Sequence, residues 1–473
     1  MKKPFIHLIQ INKDIYLLDI NTNMICKVNE KIGDFLLNHY DEDGKGLSKE
    51  DHQLINNMKR AGMLKPNAIQ TIEHPMTNFA EDMLENNLSR ITLQVTQNCN
   101  LRCAYCVYSG SYNNRMHNNK RMDVQTAKKA LDFLKKHSKN SNSINVSFYG
   151  GEPVLEFQLI TECVEYAKKI FDGKELMFNL TTNATLLNDE MIYFFQKEGF
   201  YLTISLDGPE KVHDKNRDFA DGVHGTYSTV MKNLKRITEI APNYLSRITF
   251  NAVLDDENNF ELTNDFFMNE PIVKDMHVSA SYINDVNKKE KKEYMNEENY
   301  INRGYKMFVG MMFLLGRVSR NNISKLVVRD LGDISEKIVK REILKEGILP
   351  ISHPAGPCLP GFQRPFVDAY GKLYPCERIN ETSDCICIGN IETGFDINTV
   401  KKLLNVGKIT ESYCKKCWAF NYCTQCAVTA DEGKGLSSTS RLEKCERIKL
   451  YIETALKDYI VLKECGCKFE EDI

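Results

Sequence analysis

The stretch Cys99-Asn-Leu-Arg-Cys103-Ala-Tyr-Cys106 puts three thiols in one short loop, directly after an apolar run from Ile91 to Val95. That arrangement constrains the chain more than any other feature. A loop leaving a strand end can wrap three side chains around one small inorganic group. A four-iron cube needs four ligands and prefers thiolates. Three cysteines would hold three irons and leave the fourth open to a small molecule. The competing reading is zinc, whose sites come as two Cys-x2-Cys pairs or a Cys/His mixture. No histidine stands at ligand spacing here, since His117 lies eleven residues beyond Cys106.

The cysteine census points the same way. The 473 residues hold 16 cysteines, and eleven of them follow residue 357. The N-terminus, Met1-Lys-Lys-Pro-Phe-Ile-His7, lacks the apolar segment and small-residue cleavage site of a secretory signal. The expectation is a cytoplasmic chain whose cysteines are mostly metal ligands rather than a disulfide framework. Their crowding near the end predicts a second metal-binding region. A net charge of −2 argues against binding nucleic acid through a basic surface. No apolar run reaches the roughly 18 residues of a membrane span.

The chain divides by pattern. Residues 1–72 show short apolar runs (Phe5 to Ile11, Ile15 to Ile20, Met24 to Val28), then helical patterns over Glu30 to Asn38 and Ser48 to Ala61, the second capped by Ser48. Residues 73–88 are polar and poorly periodic and read as a linker. Over 89–284, β-branched runs at 91–95, 144–149, 176–181, 201–206, 247–254 and 277–282 alternate with helical patterns. That alternation predicts parallel βα units with chemistry on the loops after the strands. By itself it suits a partial barrel, a full barrel or an open sheet. Residues 285–350 read as a helical bridge, with a charged stretch from Asn287 to Glu298. Residues 351–450 form the cysteine-rich region and 451–473 a tail.

Motifs sit at the predicted strand ends. Phe148-Tyr-Gly150-Gly151-Glu152-Pro153 closes the second strand, Thr181-Thr-Asn183 the third and Ser205-Leu-Asp-Gly-Pro209 the fourth. Arg217 follows twelve residues after Ser205. The two glycines predict close backbone approach to a ligand, and a carboxylate beside them can pair with an ammonium. An Asx or Ser turn is the bland alternative for Asn183. With the cysteine loop, these motifs resemble the radical S-adenosylmethionine (SAM) superfamily. The resemblance implies a partial (β/α)6 TIM barrel and a 4Fe–4S cluster on Cys99, Cys103 and Cys106. It implies SAM contacts from Gly150, Gly151 and Glu152 to the amino group, Asn183 and Ser205 to the ribose, Arg217 to the carboxylate, and Tyr105 and Ile283 to the adenine.

Near the end, Cys358, Cys376, Cys414-Lys-Lys-Cys417, Cys423-Thr-Gln-Cys426 and Cys445 follow in order. Alone, 414–426 would read as a zinc ribbon. The full series resembles the SPASM domain, which carries two auxiliary 4Fe–4S clusters, so the resemblance implies three in all. It gives Cys414, Cys417, Cys423 and Cys445 to the distal cluster, and Cys358, Cys376 and Cys426 to the nearer one. Two residues separate Cys423 from Cys426, where three are commoner. The nearer set is one ligand short, because Ser352 stands where sulfatase maturases carry a cysteine. Either Cys385 or Cys387 completes it, or its iron is open to a substrate thiolate. Glu377 takes the place of an Asp that acts as base in those maturases.

Residues 90–450 as a whole resemble radical SAM–SPASM peptide maturases, and the N-terminal unit resembles a winged-helix leader-binding domain. Tyr105-Cys106-Val-Tyr-Ser109-Gly110 and Cys414-Lys-Lys-Cys417-Trp418-Ala419 look most like the thioether-forming (sactipeptide and ranthipeptide) maturases. The implied partners are a cysteine-rich precursor peptide and an electron donor such as flavodoxin or ferredoxin. A sulfatase-type formylglycine maturase, a carbon–carbon crosslinking enzyme and a zinc-binding peptide-delivery scaffold are the rival readings.

Overall fold

The computed structural model describes residues 3–40, 44, 46–112, 115–283, 288–289, 296–340 and 347–469. β1 (Ile6–Ile11), β2 (Asp14–Asp19) and β3 (Ile25–Val28) form an antiparallel sheet in chain order. Asn12, at φ +54°, supports the tight turn between the first two. α1 (Glu30–Asn38) is capped by Asn29, and α2 (Lys49–Arg60) by a Ser48/Asp51 capping box. The Asn29 amide also donates to Asp51 at 2.6 Å, so the two helix starts are tied together. Alternation in β2 sends Leu17 to a core with Ile32, Leu36, Ile55 and Met58. Tyr16 and Leu18 go to the opposite face. β4 (Thr71–Ile72) ends this region.

Residues 73–88 are not a linker. They contain a single-turn helix and α3 (Ala80–Asn86), and Ala80, Leu84 and Leu88 are fully buried in the main core. Three apolar residues at fourfold spacing suffice to dock a helix whose remaining positions are polar. The next elements are β5 (Arg90–Thr96), α4 (Val124–His137), β6 (Ser143–Gly150), α5 (Phe157–Ile170), β7 (Glu175–Thr182) and α6 (Asp189–Lys197). They continue with β8 (Tyr201–Ser205), α7 (Glu210–His213), α8 (Tyr227–Ile240), β9 (Ile248–Leu254), α9 (Phe260–Asn269) and β10 (His277–Tyr282). All six strands are parallel and lie side by side in chain order. A doubly wound sheet reverses its order partway; this one does not. The ring does not close either, because the free side of β5 pairs with a strand from the cysteine-rich region.

α10 (Glu297–Leu314) and α11 (Val328–Ile334) make up the bridge. Of the charged stretch from Asn287 to Glu298, residues 287 and 290–295 lie outside the described residues. β11 (Ile351–Ser352) pairs with β4. β12 (Phe366–Val367) runs parallel to β5, and β13 (Lys372–Tyr374), β14 (Gly389–Asn390) and β15 (Gly394–Phe395) extend the same sheet antiparallel to a total of ten strands. The cysteine-rich region therefore shares its sheet with the six-stranded unit. α12 (Ile397–Leu404), α13 (Glu411–Cys414), α14 (Ser438–Leu442) and α15 (Cys445–Glu464) follow. The stretch expected to be a tail is mostly α15, and its Ile452, Leu456 and Ile460 pack on Tyr16, Leu18 and Ile9 of the N-terminal sheet. His7 stacks on Trp418 with ring centroids 3.9 Å apart. Residues 1–72 are thus docked on the cysteine-rich region over their second apolar face. Among the described residues no helix is long and apolar enough to cross a membrane.

Candidate active site

β5 delivers Cys99, Cys103 and Cys106 into one loop. Backbone N–H groups of Leu101 and Tyr108 donate to the sulfurs of Cys99 (3.3 Å) and Cys106 (3.4 Å). Burial, then the nearby Glu152 carboxylate, pushes the Cys99 thiol up to about 12, and burial pushes Cys103 to about 11. Such thiols give up their protons only to a strong Lewis acid, and iron binding is therefore coupled to proton release.

The glycines of the second motif make room for the cysteine loop. A Cβ on Gly150 would lie 2.0 Å from the Thr96 carbonyl oxygen, and one on Gly151 2.1 Å from that of Asn98. The strand end is laced to the cysteine loop there, with Gly151 N–H donating to Thr96 and Glu152 N–H to Asn98, both at 2.9 Å. Glu152 is 1 % exposed. Its carboxylate accepts from Thr182 Oγ1 (2.8 Å), Val154 N (3.2 Å) and Asn183 N (2.7 Å). A carboxylate has about four acceptor sites, so a place remains for one more donor. Burial holds its pKa up at about 7 despite these bonds. The Asn183 amide reaches toward Cys99 Sγ (3.8 Å) and Asn100 Oδ1 (2.9 Å). Ser205 ends β8 on the same rim, half-buried.

Arg217 is already engaged. Its Nε and Nη2 donate to Asp207 Oδ2 and Oδ1 at 2.8 and 3.1 Å, a buried bidentate pair. Tyr105 donates its hydroxyl to Asp207 and lies under the guanidinium, 5.3 Å from its ring centroid. Burial pushes the Asp207 carboxyl up, but Arg217 more than offsets it and holds the group below the ordinary value. His213, next to the pair, is driven down to about 3 by burial and by Arg217, and is neutral. Of the guanidinium only the Nη1 edge is left for a ligand carboxylate, so the expected Arg217 contact is shared with Asp207. Asp207 was visible within Ser205-Leu-Asp-Gly-Pro209 but carries no chemistry until Arg217 is placed beside it. Tyr105 and Ile283 do meet: both line one cavity of about 420 Å³, with Asn216, Asp255 and Glu257. The residues present fit a SAM-liganded cube: three converging thiols, an acid with a spare acceptor site and an aromatic–aliphatic cavity alongside.

Cys414, Cys417, Cys423 and Cys445 line a second cavity, of about 350 Å³. Among the described residues no three His, Cys, Asp or Glu side chains are spaced to hold a single metal ion. A cube with each thiolate on its own iron is the group that the SPASM resemblance implies for this quartet. Cys426 does not line this cavity and lies near Cys358 and Cys376 instead. Gly356 and Ala355 donate to the carbonyls of Cys423 (2.9 Å) and Phe420 (3.2 Å), and a Cβ on Gly356 would lie 2.8 Å from Thr424 Cα. This contact lays Cys358 beside Cys426, and each of Cys358 and Cys376 feels the charge of Cys426.

Cys385 and Cys387 make other contacts in this structure. Cys385 is bonded to Ser383 Oγ (3.1 Å) and Asp431 Oδ1 (3.4 Å), and Cys387 donates to the Gly389 carbonyl (3.4 Å). Ser352 turns its hydroxyl to the Leu349 carbonyl. Glu377 Oε1 pairs with Arg364 at 2.9 Å, while Oε2 is buried without a hydrogen-bond partner among the described residues. Nothing in the sequence singled out Arg115. Its buried guanidinium pairs with Glu381 (2.6 Å) and donates to the Glu377 carbonyl (2.6 Å), over the ring of Tyr108. Glu381 also accepts from Gln94 and Gln97, both at 2.8 Å. This network joins the two cysteine-bearing loops.

Residues 93–265 match the family model of the Radical SAM superfamily. That segment is a radical SAM domain. Among curated relatives, an uncharacterized protein of Methanocaldococcus jannaschii is 36% identical over 145 residues, 31% of this chain and 47% of that one. A cysteine-type anaerobic sulfatase-maturating enzyme of Clostridium novyi is 31% identical over 162 residues, 33% of this chain and 42% of that enzyme. The chain thus spans less than half the length of these two. The structure of native anSMEcpe with bound AdoMet and Cp18Cys peptide superposes with a TM-score of 0.59 at 20% identity, over 79% of this chain and 99% of that one. This likeness extends the radical SAM domain's α/β fold to the shared sheet beyond it. The superfamily implies a 4Fe–4S cluster and SAM, which the three thiols and their surroundings fit.

Proposed function

We propose that the chain is a radical SAM enzyme that joins cysteine sulfur to the Cα or Cβ of acceptor residues in a cysteine-rich precursor peptide. When bound, the reduced iron–sulfur cluster and SAM supply a 5′-deoxyadenosyl radical. Cys99, Cys103 and Cys106 hold the cluster, Glu152 takes the SAM ammonium, and Tyr105 and Ile283 enclose the adenine. Asn183 and Ser205 serve the ribose, and Arg217, steadied by Asp207, its carboxylate. The observation that carries the thioether reading is the three-thiol group of Cys358, Cys376 and Cys426. No fourth cysteine joins it among the described residues, which suits a place for a substrate thiol. Glu377, adjacent to Cys376, is placed to accept a proton there. Cys414, Cys417, Cys423 and Cys445 hold a third cluster. Among the described residues β3 pairs only with β2, so its outer edge suits a leader peptide added as a further strand. A flavodoxin or ferredoxin supplies electrons.

The relatives named as sulfatase-maturating enzymes favour a second reading, oxidation of a Cys or Ser to formylglycine. Mass spectrometry on a cysteine-rich peptide incubated anaerobically with enzyme, SAM and reductant separates the two. The thioether reading expects loss of two hydrogens per crosslink and a thiol that no longer alkylates. An aldehyde trapped by a hydrazide reagent, at a serine or at a cysteine that has lost its sulfur, with no crosslink formed, would replace it with the formylglycine reading.

A further inference from the structure

Arg441 is 1 % exposed, and it lines the same cavity as Cys414, Cys417, Cys423 and Cys445. Its Nε donates to Thr410 Oγ1 at 3.1 Å, and its Nη1 is buried with no hydrogen-bond partner among the described residues. Thr410 Oγ1 in turn lies 3.2 Å from Cys414 Sγ. The Cys445 thiol is held toward the Arg441 carbonyl (3.9 Å), and the Gln425 amide reaches Cys445 Sγ (3.6 Å). Glu446 and Lys449 stand at the cavity rim, paired with each other at 2.9 Å.

A guanidinium is always charged. Left in a protein interior without an anion, it carries a desolvation cost of several kcal/mol. No carboxylate pairs with Arg441 among the described residues, and the group it faces is a set of four thiols. Four thiolates around a cube give a net negative charge in either oxidation state, and reduction adds another. A fixed cation lining the same cavity stabilises the reduced form more than the oxidised one, and cluster potentials follow net charge and hydrogen bonds to sulfur.

We infer that Arg441 is the buried counter-ion of the distal cluster, that its Nη1 donates to that cluster's sulfur, and that it raises the cluster's reduction potential. Arg441 is a positioning and tuning residue rather than a catalytic one. The inference rests on the reading that the quartet holds a four-iron cube.

The test is an anaerobic redox titration of the reconstituted full-length enzyme, followed by electron paramagnetic resonance. Wild type, Arg441→Met and Arg441→Lys are compared, with a Cys414/Cys417/Cys423/Cys445→Ala variant to identify the distal signal. Arg441→Met is expected to move the distal midpoint to lower potential and to lose that cluster's iron to a chelator at least tenfold faster. Arg441→Lys keeps the charge but loses the fork, so it should shift less in the same direction. It decides the matter if the Met variant fails to fold. A distal midpoint and iron retention equal to wild type would overturn the Arg441 assignment alone. A cysteine-quartet variant that keeps all its iron, or zinc in place of iron, would overturn the cluster reading and this inference with it.

Discussion

His353 illustrates how much of the cysteine-rich region rests on single side chains that carry no thiol. It is 8 % exposed. Its Nδ1–H donates to the Gly356 carbonyl (2.7 Å), and its Nε2 accepts from Gly407 N–H (3.1 Å), so one neutral tautomer serves both contacts. Burial lowers its pKa to about 4. In the unfolded chain a histidine binds a proton from about pH 6.5 downward, and in the folded chain not until about 4. The contribution is therefore present above pH 6.5 and lost as pH falls toward 4, at about 1.4 kcal/mol per pH unit across that gap. Between pH 7 and 5 the melting temperature should drop further in wild type than in His353→Gln, which cannot titrate. Equal slopes in differential scanning fluorimetry would remove His353 from this role.

Legibility at this scale follows sequence distance. The Cys99–Cys106 thiol group reads directly because its members lie within one loop. Glu152 and Asn183 read through the turns that carry them. The room that Gly150 and Gly151 make did not, since the atoms they clear belong to Thr96 at the end of β5 and to Asn98 in the loop after it. Arg115 and Arg441 were invisible, because each gains meaning only from partners that tertiary packing supplies.

Among elements, strand placement was legible because period-two alternation is a local signal. What a strand packs against was not. Tyr16, Leu17 and Leu18 are all fully or nearly buried, the mark of a sheet covered on both sides, and consecutive apolar residues in β2 were the available clue. α3 was missed because a polar majority masks a narrow apolar stripe, and α15 although apolar residues fill just over half of it. The docking of β1 onto the cysteine-rich region centres on the His7–Trp418 stack. Trp418→Ala should cost about 3 kcal/mol and loosen residues 3–72. The readout is limited proteolysis, where cleavage within 60–75 should accelerate while the radical SAM domain stays intact. Unchanged cleavage there would show that the helical contacts of α15 hold the unit alone.

For the whole molecule, three four-iron cubes predict about twelve irons per chain, falling to about eight when Cys99, Cys103 and Cys106 are replaced by alanine. Anaerobic iron and sulfide analysis measures this directly. About four irons with bound zinc would remove both auxiliary clusters.

The ten-stranded sheet sets a limit on how such a protein can be divided. β12 fills the side of β5 that a closed barrel would have used for its own last strand. A fragment ending near residue 350 would bare that edge beside the iron loop, and the severed remainder would begin with a two-residue strand that has lost its template. Each piece would offer unpaired backbone to any neighbouring chain. The cysteine-rich region therefore cannot be exchanged between enzymes as a cassette unless the matching strand travels with it, and the unit on which selection acts is the pair.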